Sequence, residues 1–423
     1  MALTAVLFGH AAALLAGIVD GPPPADRRIE AYFKAHPRLG SRDRGQVAEA
    51  AYACLRRLAL LRHVAGAGAG ADAWLAVHLL EGGASARALE QLGYRGEGQL
   101  EGRALAARLR TLDAKALPRA VRLNLPDWLL ERLDAQIGAE ETDALAAALD
   151  QNAPLDVRTN PLKADREGVR ARLAAEGHRL EPTPWSPFGL RRADRAPLFA
   201  SEAFRDGLFE VQDEGSQLLA LLVEPRRRET VVDYCAGAGG KALQLAAQMA
   251  NTGTVYAFDV SAHRLERIRP RLRRAGVDNV QPVAITGAAD ARARRLHGKA
   301  DRVLVDAPCS GTGTLRRNPD IKWRPTDLAA LAAVQGGILA DAAALVRPGG
   351  RLVYATCSLL REENEDVVAA FLAGHPDFAV VPAGEILARR QVTLPDAADF
   401  LRLWPHRHGT DGFFGAALSR SAG

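Results

Sequence analysis

From about residue 219 to the end, short apolar runs alternate with stretches of helical period, and this alternation constrains the fold more than any other feature. Thr230 to Tyr234 reads as a buried strand, followed by a glycine loop and a helix from Lys241 to Met249. Thr254 to Phe258 is the next strand and ends at Asp259. Ser261 is placed to cap the following helix, and Pro270 to kink it. Val280 to Ile285, Arg302 to Asp306 and Arg351 to Ala355 read as further strands. A helix from Thr326 to Val346 precedes an Arg347-Pro348-Gly349-Gly350 turn. Strands joined by helices imply an α/β fold with a mostly parallel, Rossmann-like doubly wound sheet. Ligands of such sheets bind at the carboxyl ends of the strands, so those ends are where chemistry is expected.

The chain has 423 residues, too many for one ordinary domain. Residues 1 to 125 read as helices: Asp26 to Phe33 after the proline stop Pro22 to Pro24, then an apolar stripe of Val47, Ala50, Ala51, Cys54, Leu55 and Leu58. Gly66 to Gly70 is a break, and Leu75 to Leu80 and Ala86 to Leu92 fit short helices. Ala2 to Val19 is apolar but has no basic leader and carries His10, so it reads as the first helix of a domain and not as a signal peptide. No other run approaches the roughly 18 apolar residues of a membrane span. Residues 126 to 218 read as a small α+β module: helices from Pro126 and from Glu140, strands Leu155 to Thr159, Leu190 to Arg192 and Leu208 to Val211, and a helix from Arg166 to Glu176. The expected domains are 1–125, 126–218 and 219–423.

Of 55 basic residues only six are lysines, and the net charge is +5. That balance permits a polyanionic partner without requiring one. Arg264, Arg267, Arg269, Arg271, Arg273 and Arg274 crowd one helix, where they could meet phosphates or simply face water. Four cysteines exclude a disulfide framework, and their spacing suggests no structural metal.

Three motifs fall at strand ends. The first, Asp233-Tyr234-Cys235-Ala236-Gly237-Ala238-Gly239-Gly240-Lys241, joins a strand to a helix. Its glycines allow close backbone approach to a ligand, and the helix N-terminus favours an anionic group. Asp259 ends the next strand, where an acidic residue accepts hydrogen bonds from ribose hydroxyls. Together these indicate a nucleoside-containing cofactor, either a dinucleotide or S-adenosyl-L-methionine. The second motif is Asp306-Ala307-Pro308-Cys309-Ser310-Gly311-Thr312-Gly313, and the third is Ala355-Thr356-Cys357-Ser358. Two cysteines at the rim of a nucleoside site suit one reaction in particular. Carbon 5 of cytosine becomes nucleophilic only after a thiolate adds to carbon 6, and a carboxyl group near ring nitrogen 3 can stabilise the charge that develops.

These motifs, with Arg316 to Trp323, Glu363 to Glu365 and Thr410 to Phe414, resemble the Sun (Fmu) family of RNA cytosine carbon-5 methyltransferases. The resemblance covers residues 126 to 423. More weakly, residues 1 to 125, through Arg38 to Arg44, look like the helical antiterminator-type RNA-binding domain of the ribosomal-RNA members. It implies that Cys357 is the nucleophile and that Cys309 assists release of the methylated RNA. Asp306 would contact the target base near the cofactor, and Lys241 would close the cofactor loop and touch the active site. Residues 235 to 241 would wrap the cofactor, S-adenosyl-L-methionine, and Asp259 would bind its ribose. The expected substrate is RNA, ribosomal before transfer RNA; the expected protein is cytoplasmic and monomeric, with neither metal nor membrane. The chain departs from the family pattern at Ala238 and Ala242. It also has Thr286-Gly287 where an adenine-contacting Asp is usual, with Asp290 a few residues on.

Three other readings remain. An RNA-binding protein without catalysis should have lost Cys357, Asp306 or Lys241, and all three are present. A DNA cytosine methyltransferase would use Cys309 as the nucleophile. A nicotinamide dehydrogenase leaves both rim cysteines unexplained.

Overall fold

The structure is a computed structural model that describes residues 3–21, 24–193 and 196–422. Pro22 and Pro23 of the expected helix stop lie outside the described residues. The chain divides into two compact units: residues 1–152 with 314–326, and residues 153–313 with 327–423. These cuts fall elsewhere than at the expected boundaries of 125/126 and 218/219. The helices Asp127–Ile137 and Ala139–Leu149 lie within the first unit, as does the segment after the Cys309 motif.

The first unit is helical. Ala5–Val19 buries Leu7, Phe8, Ala11, Leu14, Leu15 and Ile18, so the apolar opening of the sequence is a core helix. Ser41–Arg56 buries the expected stripe Val47, Ala50, Ala51, Cys54 and Leu55. The Gly66–Gly70 break is a loop in which Gly66 and Gly68 take positive φ. The segment 314–326 is pinned inside this unit. Lys322 Nζ donates to the carbonyls of Arg56 (2.9 Å) and Asn124 (2.8 Å), and Trp323 Nε1 donates to Leu55 O (2.8 Å). Burial lowers the Lys322 pKa to about 7.

The second unit carries two sheets. The smaller contains β1 (Leu155–Thr159), β2 (Glu181–Pro182), β3 (Gly189–Arg192) and β4 (Phe209–Val211), in the order β2-β3-β1-β4. Its pairings are antiparallel. The larger contains β5 (Thr230–Asp233), β6 (Thr254–Asp259), β7 (Val280–Ala284), β8 (Ala300–Asp306), β9 (Val346–Thr356), β10 (Phe378–Val381), β11 (Phe400–Leu403) and β12 (Phe413–Arg420). Its order is β10-β12-β9-β8-β5-β6-β7, with β11 also beside β12. The five strands from β7 to β9 are parallel, as the alternation predicts. β12 then returns antiparallel to β9. Strand order reverses between β5 and β8, and a crevice opens outside the carboxyl ends at such a switch point.

One local expectation is corrected and another holds. Arg347 to Gly350 lies within the residues of β9, with a register irregularity against β8, and not in a free turn. The helix over the arginine cluster does break, at Arg267, into Ala262–Glu266 and Ile268–Ala275. Pro270 cannot donate to the carbonyl four residues back, at Glu266, so the break falls where the ring requires it.

Candidate active site

A cavity of about 470 Å³ opens at the switch point. Its lining includes Asp233 from β5, the loop residues Cys235 to Ala238 with Gly240 and Lys241, Asp259 from β6, Asp306 from β8, and Cys309 and Cys357 beyond β8 and β9. The sequence-predicted residues therefore meet in one place; of the loop, only Gly239 is absent from the lining. Gly239 has φ +81°, and a Cβ there would stand 2.8 Å from Ile268 Cγ1. Only glycine fits both demands.

Asp259 holds the loop in shape. Its Oδ2 accepts from Gly237 N (2.8 Å), and its Oδ1 accepts from Ser261 N (2.8 Å) and Arg264 Nη2 (3.1 Å). It therefore anchors the start of the next helix and faces the cavity at once. Asp233 is buried, and neither of its oxygens has a well-formed hydrogen bond. Burial, reinforced by Asp306 and only partly offset by Lys241, raises its pKa to about 7.

Lys241 Nζ donates to Asp306 Oδ2 at 2.7 Å. Burial works against its charge, but Asp306, Asp233 and the Cys357 sulfur outweigh burial and hold its pKa above the ordinary lysine value. The sulfurs of Cys309 and Cys357 are 3.3 Å apart. The contact with Cys357, burial and the nearby Glu363 together push the Cys309 thiol well above the ordinary range. Cys235 is also raised, by burial and then by Asp233, Asp306 and Asp259, which leaves it a poor nucleophile. Gly313 N donates to Cys357 O (2.8 Å) and Gly412 N to Gly313 O (2.8 Å). Thus the closing Thr410–Phe414 motif braces both cysteine loops. A Cβ on Gly313 would lie 2.0 Å from Gly412 O, so this backbone packing needs glycine.

A family profile described as 16S rRNA methyltransferase RsmB/F matches residues 220–419, and a profile for the ferredoxin-like domain of that group matches 125–197. The probable ribosomal RNA small subunit methyltransferase B of Synechocystis sp. is 34% identical over 313 residues, spanning 73% of this chain and 70% of that one. The chain belongs to the RsmB/F methyltransferase family. The Bacillus subtilis protein described in the same words is 34% identical over 70% of this chain and 66% of its own length. The chain thus spans about two thirds of these relatives. One solved structure covers 99% of this chain at 28% identity with a TM-score of 0.76. A methyltransferase homolog protein from Pyrococcus horikoshii covers 73% at 30% identity and TM-score 0.61.

RsmB/F enzymes are S-adenosylmethionine-dependent RNA methyltransferases, and the cavity suits that cofactor. The close-approach loop, the Asp259 carboxylate and the unpartnered Asp233 carboxylate all face one space. The departure at Thr286-Gly287 has a structural answer. Asp290 turns back onto its own loop, accepting from Thr286 N (3.1 Å) and Arg292 N (2.9 Å), while Ile285 and Gly287 line the cavity. Sequence reasoning missed Gln212, Ser216, Ile338 and Asp341 in the lining. None lies at a strand end with a motif signal, so only the folded chain brings them in. It also missed Arg158, whose Nη1 donates to Gly240 O at 2.8 Å, and Glu210, which holds Arg271 as Arg271 donates to Ala238 O at 2.5 Å.

The arginine cluster is thereby sorted. Arg264 pairs with Asp259, and Arg271 and Arg274 pair with Glu210. Arg267 lies beside His263. Arg269 and Arg273 are exposed. No helix among the described residues is long and apolar enough to cross a membrane.

Proposed function

We propose that the protein methylates carbon 5 of a cytosine in 16S ribosomal RNA, through a covalent bond from Cys357 to carbon 6. The observation that carries this reading is the 3.3 Å approach of Cys309 to Cys357 at the edge of the cavity that Lys241 and Asp306 also line. S-adenosylmethionine, when bound, supplies the methyl group as an electrophilic carbon on a charged sulfur.

Cys357 is the nucleophile. It lines the cavity together with Lys241, and positive charge beside a sulfur is what nucleophilic attack by cysteine requires. Addition to carbon 6 pushes the ring electrons toward nitrogen 3, where the Lys241–Asp306 pair stabilises the charge. Carbon 5 then takes the methyl group. Once methylated, carbon 5 gives up its proton to solvent, and the electron pair of that C–H bond re-forms the ring double bond as the Cys357 sulfur leaves as a thiolate. Cys309 keeps its proton at neutral pH and hydrogen-bonds the departing sulfur. Asp259 and residues 235–241 hold the cofactor. A cytosine in paired RNA must be turned out of its stack to reach the cavity.

The helical unit, by its resemblance to antiterminator-type domains, favours a ribosomal over a transfer RNA. Bisulfite sequencing of ribosomal RNA from a deletion strain tests the reading. Loss of one methylcytosine in 16S RNA, restored by the wild-type gene, is expected. Unchanged 16S RNA with a methylcytosine lost from a transfer RNA contradicts the ribosomal assignment.

A further inference from the structure

Both cysteine loops rest on a single buried carboxylate. Glu363 is fully buried, and four neutral donors converge on it. Its Oε1 accepts from Ser310 N (2.8 Å) and Gln335 Nε2 (3.0 Å). Its Oε2 accepts from the hydroxyls of Ser310 (2.5 Å) and Ser358 (2.5 Å). Ser310 follows Cys309 and Ser358 follows Cys357, so one carboxylate grips the residue after each sulfur. Gln335 Nε2 also donates to Pro308 O (3.0 Å), which holds the Cys309 loop from the other side. Glu363 is held in turn from its own backbone, where Tyr354 Oη donates to its carbonyl at 2.6 Å.

A carboxylate taken out of water is costly even when hydrogen-bonded, and an apolar side chain of similar volume generally serves stability as well. What it supplies instead is geometry: strong, directional acceptors at a fixed distance from both loops. We propose that Glu363 is a positioning residue that fixes the Cys309 thiol beside Cys357 for release of the methylated RNA. The proposal rests on the reading in which Cys357 attacks and Cys309 assists release. Glu363 touches neither sulfur. It acts through Ser310 and Ser358, and its negative charge adds to the forces that keep Cys309 protonated.

Glu363→Gln keeps the side-chain shape but turns an NH2 group toward donors that need an acceptor, so the two loops part. Thiol separation can be read without any methyl transfer. Diamide oxidises two adjacent thiols to a disulfide, its N=N bond taking up the two electrons and two protons. Wild-type protein is expected to form a Cys309–Cys357 disulfide, seen by peptide mass spectrometry. Glu363→Gln is expected to form it about 10-fold more slowly, and Ser310→Ala, which loses one arm of the clamp, more slowly by a smaller factor.

In the second readout, methylation assays run on denaturing gels should show RNA trapped on Glu363→Gln, as on Cys309→Ala, with cofactor affinity unchanged. Wild-type crosslinking and no trapped RNA in a folded Glu363→Gln protein overturn the proposal. If that variant does not fold, an unchanged crosslinking rate in Ser310→Ala overturns it. If Cys309→Ala itself traps no RNA, the underlying reading of the cysteines fails, and the diamide rates still decide whether Glu363 sets their separation.

Discussion

Lys241 Nζ stands 2.7 Å from Asp306 Oδ2, joining the helix after β5 to the end of β8 across the switch point of the sheet. The pair is charged on both sides and largely buried at the lysine, whose side chain is 10% exposed. Removing the ammonium leaves Asp306 beside the raised Asp233 carboxyl and takes away the cation that offsets their charge.

Lys241→Met is therefore expected to lower the rate of methyl transfer by about 100-fold or more, the usual scale for losing one charge-stabilising group. Initial rates with labelled cofactor and 16S RNA check this. Lys241→Arg should not restore the rate, because a planar guanidinium does not fit a site built for a compact ammonium.

Asp233 gives a pH signature. Its carboxyl titrates near 3.8 in the unfolded chain and at about 7 when folded. Between those values the folded chain holds a proton that the unfolded chain has lost, so stability falls as pH rises through the window. Asp233→Asn removes that loss. Without cofactor it should melt a few degrees above wild type at pH 8 and level with it at pH 4. Thermal scans showing the same difference at both pH values contradict the assignment.

Gly239→Ala tests the loop. The φ of +81° and the 2.8 Å approach to Ile268 both penalise a side chain. A loss of about 1–3 kcal/mol is expected, together with weaker cofactor binding by calorimetry. Gly237→Ala, where the nearest atom is Arg264 Nη1 at 3.8 Å, should meet backbone strain alone and lose less.

The sequence made the site legible because its motifs sit where strands end. Asp233, Asp259, Asp306 and Cys357 close or follow strands whose apolar runs mark them plainly. Ser261 capping and the break before Pro270 were legible for the same local reason. The antiparallel β10 to β12 were not, because nothing in the run Phe413-Phe414-Gly415-Ala416-Ala417 distinguishes a buried returning strand from a buried helix segment. The clamp on the cysteine loops was also hidden. Glu363 and Ser310 lie far apart in sequence and meet only when β8 and β9 pair. The Lys322 and Trp323 motif falls within the expected 219–423 domain, yet its side chains bond within the helical unit.

The assignment of the two cysteines is the centre of the account, and denaturing gels of protein incubated with cofactor and 16S RNA test it most directly. Cys309→Ala should trap RNA as a covalent adduct that survives denaturation. Cys357→Ala should form none and transfer no methyl groups. An adduct on Cys357→Ala, with none on Cys309→Ala, contradicts the account and makes Cys309 the nucleophile.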